Sequence, residues 1–260
     1  HCFMCNVGQT AHCEVTNKAI YGFGVPFGSI NGTHAEALVV PHADAHAIQV
    51  PAGISDEAAV TLSCNLPSAL IANHFADIQV GERVAVVGLG PTGLMCLDIA
   101  LLKGPSRLVA LDRVRHRLDA AARKGALAID IDQDDWKERA LAETGGRGFD
   151  KVIEVVGSPE SLQMSLDLVR AGGTVSAIGV FCDPTFNLNL ADVFLRNISL
   201  HMNGFAAVQP YLPEALRLLE CDLVKPQACF SHRHALADID KAFAIFHHKA
   251  DGAMKMLLRP

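Results

Sequence analysis

The stretch RVAVVGLGPTG, residues 83–93, decides the fold. Arg83 is followed by four apolar residues that predict a buried β-strand, and the turn after them has the spacing G-x-G-x-x-G. A strand, this turn and a helix in succession are typical of a dinucleotide-binding unit. The glycines permit a tight bend, a close approach to a pyrophosphate and helix–strand packing. We therefore expect cofactor contacts from Gly88, Leu89, Gly90, Pro91, Thr92 and Gly93.

The next strand-like segment, RLVALD at residues 107–112, ends in a carboxylate. Asp112 follows Gly93 by about 20 residues, which is where dinucleotide-binding proteins carry the acid that binds the ribose hydroxyls. A carboxylate there repels the 2′-phosphate of NADP, so the sequence predicts NAD as the cofactor. The positive charge of the adjacent Arg113 keeps NADP open as the alternative.

Strand-like and helix-like segments continue to alternate through the middle of the chain. Such alternation predicts an α/β protein with a doubly wound parallel sheet, the Rossmann fold. The remaining predicted strands are 126–131, 149–157, 173–180 and 197–204, and the predicted helices are 91–104, 114–124, 134–146 and 158–173.

The flanks of the chain have a different character. Residues 14–50 are rich in Gly, Pro and His and contain two strand-like pieces, 35–40 and 46–50, which predict irregular β structure. The last part of the chain predicts two helices, 212–219 and 236–247, and a closing strand at 253–259.

Composition excludes several classes of protein. Half of the 260 residues are hydrophobic and the net charge is −6, which disfavours both disorder and general nucleic-acid binding. The apolar stretch 84–102 contains three glycines, Pro91 and Asp98, so we interpret it as strand, turn and helix rather than a membrane span. Eight clustered cysteines without a secretory leader favour a reducing, cytoplasmic compartment. We therefore expect no nucleic-acid or membrane partner.

Three cysteines open the chain as Cys2-x2-Cys5-x7-Cys13. A C-x2-C pair clamps a metal because two thiolates reach one ion from a turn, and three thiolates leave a tetrahedral zinc one ligand short. The fourth ligand lies upstream, or it is His1 or His12. The alternative interpretation is three free thiols.

With these motifs in place, the chain resembles the zinc-dependent medium-chain alcohol dehydrogenases over its whole length. Cys2, Cys5 and Cys13 match the last three thiols of that family's structural zinc lobe, C-x2-C-x2-C-x7-C. The first thiol of the pattern would fall before His1, so the resemblance implies a chain truncated at its N-terminus. The segments 31–59 and 251–260 are similar to the family's exit from its first domain and its last strand.

The resemblance implies a domain order. Residues 1–65 would be the remainder of a GroES-like, β-rich catalytic domain with the zinc lobe, 66–207 the NAD-binding Rossmann domain, and 208–260 the return to the catalytic domain. It also implies a homodimer or homotetramer, with the strand near 197–202 as the candidate contact. The implied chemistry is hydride transfer between an alcohol or carbonyl substrate and NAD, with zinc as the Lewis acid.

Further site residues are carried over by position. Cys64 would be the third ligand of the catalytic zinc, and its alternative role is a small buried core residue. Arg117 matches a basic residue at the adenosine ribose, and Lys255 matches one that reaches the pyrophosphate, with a solvated strand charge as the alternative for Lys255. The nicotinamide end would be framed by Val155, Val156, Ile178 and Val180.

Part of that family's catalytic apparatus is absent from residues 1–260. No His-Glu pair, which carries the second zinc ligand, occurs in the sequence. We therefore expect this chain alone to be inactive, and zinc-dependent alcohol oxidation by it would contradict that. Two other functions stay open: a zinc-free quinone or enone reductase of the same superfamily, and a non-catalytic nucleotide-binding module.

Overall fold

The computed structural model describes residues 2–16, 19–205 and 207–260. The chain divides into two compact units. Unit 1 comprises His1–Ser63, Phe205–Cys221 and Lys225–Pro260, and unit 2 comprises Cys64–Gly204 and Asp222–Val224. The functional roles expected for segments 1–65, 66–207 and 208–260 stay predictions.

Unit 2 contains most of the regular structure. The strands of the chain are β1 (Arg83–Val87), β2 (Arg107–Asp112), β3 (Leu127–Asp130), β4 (Phe149–Glu154), β5 (Val169–Ala177), β6 (Ser199–Met202), β7 (Phe230–Ala235) and β8 (Lys255–Arg259). The α-helices are α1 (Phe3–Asn6), α2 (Ala43–His46), α3 (Asp56–Thr61), α4 (Asn65–Ala76), α5 (Pro91–Leu102), α6 (Arg115–Arg123), α7 (Trp136–Ala142), α8 (Pro159–Leu168), α9 (Leu190–Leu195), α10 (Leu212–Glu220) and α11 (Ile239–His247).

Six strands of unit 2 form one parallel sheet in the order β3-β2-β1-β4-β5-β6. This order confirms the predicted Rossmann fold. The chain moves outward from β1 through β2 to β3, then returns to β4 and moves outward in the other direction. Strand order therefore reverses between β1 and β4, and ligands of such sheets bind beyond the carboxyl ends of the strands at that point.

The sheet is buried on both faces, which explains its nearly continuous apolar strands. Right-handed crossovers place α5, which joins β1 to β2, and α8, which joins β4 to β5, on opposite faces. On the α8 face, side chains of the strands and of α7 and α8 form one core that includes Val87, Val109, Val152, Leu162 and Leu166. This core fixes the strand ends that carry the candidate site.

The boundary between α8 and β5 lies earlier than predicted. The helix ends at Leu168 and the strand begins at Val169, whereas we expected the helix to continue to residue 173. Two glycines allow this early pairing. A Cβ at Gly148 would lie 2.7 Å from the Leu168 carbonyl oxygen, and one at Gly173 would lie 2.6 Å from a Val169 methyl group. The chain around Gly148 and the start of β5 therefore lie close together, in a region where the sequence pattern predicted the end of a helix.

Unit 1 holds the parallel pair β7–β8, together with α11. The acidic first turn of α3 meets two arginines of this pair. Arg233 Nε donates to Glu57 Oε1 at 2.8 Å, and Arg259 Nη2 donates to Asp56 Oδ2 at 2.6 Å. A hydrogen bond with its own backbone is the largest cause that lowers the pKa of Glu57, and the hydrogen bond from Arg233 lowers it further. The predicted closing strand and both C-terminal helices are confirmed.

The prediction that residues 35–40 and 46–50 form strands is wrong. Residues 35–40 form a bend followed by irregular backbone, and 46–50 comprise the last residue of α2 and irregular backbone. A strand needs a neighbouring strand for its backbone hydrogen bonds, and no strand of the described residues pairs with these pieces. Accordingly Val39 is 82% exposed.

Of the helices in the described residues, none has the length and apolar character that crossing a membrane requires. The apolar stretch 84–102 is divided between β1, the glycine turn and α5.

Candidate functional site

The glycine turn after β1 has a different constraint at each glycine. Gly88 has a φ of +95°, and a Cβ there would lie 2.5 Å from a Val156 methyl group. A Cβ at Gly93 would lie 1.9 Å from the Gly88 carbonyl oxygen. These two glycines are required by packing within the chain. At Gly90, a Cβ would meet no described atom within 4 Å beyond its chain neighbours and its own helix. Gly90 therefore leaves open space for a close-lying ligand, as a pyrophosphate would be.

Asp112 lies at the end of β2, directly beside this turn. Its Oδ2 accepts a hydrogen bond from Leu89 N at 2.7 Å, while Oδ1 accepts from Arg113 N at 2.7 Å and Val114 N at 2.9 Å. Leu89 itself is fully buried, and its backbone N–H is taken up by this hydrogen bond to Asp112. The structure thus brings together the predicted turn and the predicted acid, because β1 and β2 are neighbours in the sheet.

Of the two arginines close to Asp112 in the sequence, one faces its carboxylate and the other faces a different acid. Arg117 is largely buried, with Nη1 3.7 Å from Asp112 Oδ2, and its Nε has no hydrogen-bond partner among the described residues. Arg113 is exposed and faces another acid, with Nε 3.8 Å from Asp132 Oδ1. Arg117 is therefore the basic residue that the structure places at the Asp112 carboxylate.

Cys64 immediately precedes α4, and its side chain is exposed. Among the described residues, Cys64 is therefore not part of the core. Its Sγ lies 3.9 Å from Ser68 Oγ, one turn along α4. The next residue, Asn65, donates from Nδ2 to Thr92 Oγ1 at 2.9 Å, which ties the start of α4 to the glycine turn. The role of Cys64 as a metal ligand stays a prediction.

The residues predicted to frame the nicotinamide lie beyond the carboxyl ends of β4 and β5. Val156 and Val180 are 52% and 66% exposed, while Ile178 is buried. The two loops touch directly, since a Cβ at Gly157 would lie 2.5 Å from the backbone nitrogen of Val180. Both loops therefore border the point where strand order reverses. Their contact with a cofactor stays a prediction.

Sequence reasoning missed one residue in this region, Glu154. It is the last residue of β4 and is fully buried. Its Oε1 accepts hydrogen bonds from Val156 N, Gly157 N and Ser161 Oγ at 2.7, 2.8 and 2.8 Å. The available signal was an acidic residue inside the apolar run VIEVVG, where a buried strand rarely carries one.

The three N-terminal cysteines form a cluster in unit 1. Cys2 Sγ lies 3.6 Å from Cys5 Sγ and 4.0 Å from Cys13 Sγ, and all three sulfurs lie within 4.8 Å of one another. A tetrahedral zinc with Zn–S bonds of about 2.3 Å sets its thiolates about 3.8 Å apart. The spacing of the sulfurs therefore fits one zinc ion.

No fourth ligand joins the three thiols among the described residues. His12 packs its ring against Phe205, with centroids 5.3 Å apart, and is not a member of the cluster. His1 lies outside the described residues. His12 is therefore excluded as the fourth ligand, which leaves His1 and an upstream residue as the candidates.

The thiols of the cluster differ in acidity. A hydrogen bond from the Thr16 side chain, with help from backbone N–H groups, lowers the pKa of Cys13 to about 6. Hydrogen bonds with the Cys2 and Cys13 thiols raise the pKa of Cys5. Glu14 N also donates to Cys2 Sγ at 3.4 Å. The donors to Cys13 favour its thiolate, the form that binds zinc.

Lys255 begins β8 in unit 1, and its Nζ lies 5.8 Å from the centroid of the Phe230 ring. This contact is a cation–π interaction. The predicted contact of Lys255 with a pyrophosphate stays a prediction.

Comparison with known proteins identifies related sequences and structures. The profile of the family described as zinc-binding dehydrogenase matches residues 91–220. A probable zinc-binding alcohol dehydrogenase of Mycobacterium tuberculosis is 36% identical over 259 residues, which cover 100% of this chain and 65% of that protein. An alcohol dehydrogenase of Cupriavidus necator is 30% identical, over 91% of this chain and 66% of that protein.

Among solved structures, the alcohol dehydrogenase TADH from Thermus sp. ATN1 superimposes with a TM-score of 0.93 at 34% identity. The match covers 99% of this chain and 75% of that one. The chain thus spans about two thirds of the length of the curated relatives that it matches.

Asp112→Asn tests the predicted cofactor preference. The amide keeps an acceptor for the Arg113 and Val114 N–H groups but removes the charge that repels a 2′-phosphate. We expect the ratio of the NADP Kd to the NAD Kd to fall about tenfold, measured by calorimetric titration. Asp119→Asn, which removes an exposed acid of α6, is the matched control. An unchanged ratio in Asp112→Asn would contradict the assigned role.

Cys5→Ser tests the thiol cluster. Serine removes one of three thiolates, so we expect the zinc retained per chain after dialysis to fall by at least about half, as measured by atomic emission. Cys221→Ser, which removes an exposed thiol at the end of α10, should retain wild-type zinc. Equal zinc in both variants would show that the cluster does not hold the metal.

Proposed function

We propose that this chain, which belongs to the zinc-binding dehydrogenase family, functions in alcohol oxidation with NAD as the cofactor. We propose that this reaction also requires zinc. One observation carries the proposal: the Asp112 carboxylate is hydrogen-bonded to the backbone of the glycine turn at the point where strand order reverses. A turn and an acid in that relation suit the pyrophosphate and adenosine ribose of a dinucleotide.

In this proposal the residues of unit 2 bind and orient the cofactor. The turn from Gly88 to Gly93 receives the pyrophosphate, with Gly90 giving the closest approach. Asp112 accepts hydrogen bonds from the ribose hydroxyls, and Arg117 contacts the same ribose. The exposed side chains of Val156 and Val180, with the backbone of Val155 and Ile178, exclude water from the nicotinamide.

The cysteines have two roles in the proposal. Cys2, Cys5 and Cys13 hold a structural zinc, and Cys64 is one ligand of a catalytic zinc. When bound, zinc supplies a Lewis acid for the alcohol or carbonyl oxygen, and NAD supplies the hydride acceptor. The exposure of Cys64 and the spacing of the three sulfurs favour this zinc enzyme over the zinc-free reductase. The eight cysteines are free thiols, which supports a reducing cytoplasm as the proposed compartment.

We also propose that the protein forms a homodimer or homotetramer through β6. This strand is an edge of the six-stranded sheet, so one side of its backbone has no partner strand in the described chain. Nearby, α9 exposes the apolar side chains of Leu190, Phe194 and Leu195. Light scattering of Phe194→Glu should show a smaller species than the wild type, and an unchanged mass would contradict this contact.

Cys64→Ala tests the proposed activity. With a panel of primary and secondary alcohols and NAD, we expect turnover to fall at least about 100-fold, because the metal loses a thiolate ligand. NADH binding, followed by fluorescence titration, should stay within about twofold. Cys221→Ala is the control thiol variant.

Two results would contradict the proposal in different ways. Retained turnover in Cys64→Ala would show that this thiol is not a ligand of the catalytic zinc. A wild-type chain that does not bind NADH would show that unit 2 is not a dinucleotide-binding unit.

A further inference from the structure

Glu154 carries hydrogen bonds that the fold of α8 does not require. Helix α8 is already capped by Ser158 and Ser161, which exchange side-chain to backbone hydrogen bonds at its first turn. Two of the three donors to Glu154 Oε1 are instead backbone N–H groups of the loop between β4 and α8, those of Val156 and Gly157. The carboxylate therefore holds the loop in addition to the first turn of the helix.

The other carboxylate oxygen has no such support. Glu154 Oε2 is buried and has no hydrogen-bond partner among the described residues. It faces the next loop, since a Cβ at Gly179 would lie 2.7 Å from Oε2 and 2.1 Å from Gly157 N. A buried carboxylate with one unsatisfied oxygen is costly. A site that keeps such a group is often one where function requires it.

The loop that Glu154 fixes lies against the glycine turn. Val155 N donates to the Val87 carbonyl oxygen at 2.9 Å, which continues the pairing of β4 with β1. The side chain of Val156 occupies the space that a Cβ at Gly88 would need. The position of Val156 beside the first glycine therefore depends on the two N–H groups that Glu154 binds.

We propose that Glu154 is a positioning residue of the dinucleotide site, which holds Val155 and Val156 where they frame the nicotinamide. This inference rests on the proposed function, because it assigns a role within the same site. It concerns the nicotinamide end alone. Glu154 binds the β4–α8 loop, whereas Asp112 binds the glycine turn and the residues after β2.

The test compares two ligands that differ in the nicotinamide. NADH carries the ring, while adenosine diphosphoribose has the same adenosine and pyrophosphate without it. In Glu154→Ala we expect the Kd for NADH to rise about tenfold and that for adenosine diphosphoribose to stay within about twofold. In Glu154→Gln, which keeps an acceptor oxygen, the rise for NADH should be about threefold.

Two control variants separate this role from general effects. Glu160→Gln removes an exposed acid from the start of α8. Ser161→Ala removes one donor to Glu154 but leaves both loop N–H groups bound. Both should bind NADH as the wild type does. Thermal melting of each variant reports on folding, and if Glu154→Ala does not fold, Glu154→Gln decides the matter through the same comparison of ligands.

The outcomes are distinct. A loss confined to NADH supports the role of Glu154. If the wild type binds both ligands and Glu154→Ala loses affinity for both equally, or for neither, the role of Glu154 is overturned. The proposed function would then still stand. A wild-type chain that binds neither ligand would overturn the proposed function, and the role of Glu154 with it.

Discussion

The backbones of three loops meet at the carboxyl ends of the central strands, and the rest of the candidate site depends on this contact. Gly88, Gly157 and Gly179 each leave no room for a Cβ, because a neighbouring loop or side chain already fills that space. Close packing of this kind transmits small displacements, so the three loops are fixed together. Every residue that we assign to the nicotinamide end lies on one of them or directly beside it. The precision of the site therefore comes from the absence of side chains at three positions.

Much of unit 2 could be predicted from sequence because its signals are local. Alternation of apolar strands with helices indicates a parallel sheet, and the glycine spacing places the turn after β1. The helix α4 was not predicted, since its few polar residues do not gather on one face and give no amphipathic period. The pieces 35–40 and 46–50 show the opposite error. Their residues have strand propensity, but propensity forms no strand without a partner for the backbone.

The residues of the candidate site also differ in whether a local sequence signal predicts them. Asp112 could be found because its distance from the glycine turn follows from the length of one strand–helix–strand unit. Glu154 could not be assigned, since its hydrogen bonds to Val156 and Gly157 depend on how one loop folds back. The cysteine spacing predicts a metal but not which sulfurs meet, and the structure supplies those distances. Cys64 illustrates a third case, because its exposure is visible in the structure and not in the sequence, while its role as a zinc ligand stays a prediction.

The division of the chain between the two units has a consequence for the order of folding. Unit 2 is almost one continuous segment, whereas unit 1 is assembled from residues on both sides of it. The hydrogen bond from Thr10 Oγ1 to Gln209 Oε1, at 2.8 Å, joins residues 199 positions apart. During synthesis from the N-terminus, unit 1 lacks these partners until the sheet of unit 2 has been made. Its N-terminal segment, with the three clustered thiols, therefore waits without its C-terminal partners while the sheet of unit 2 is being made.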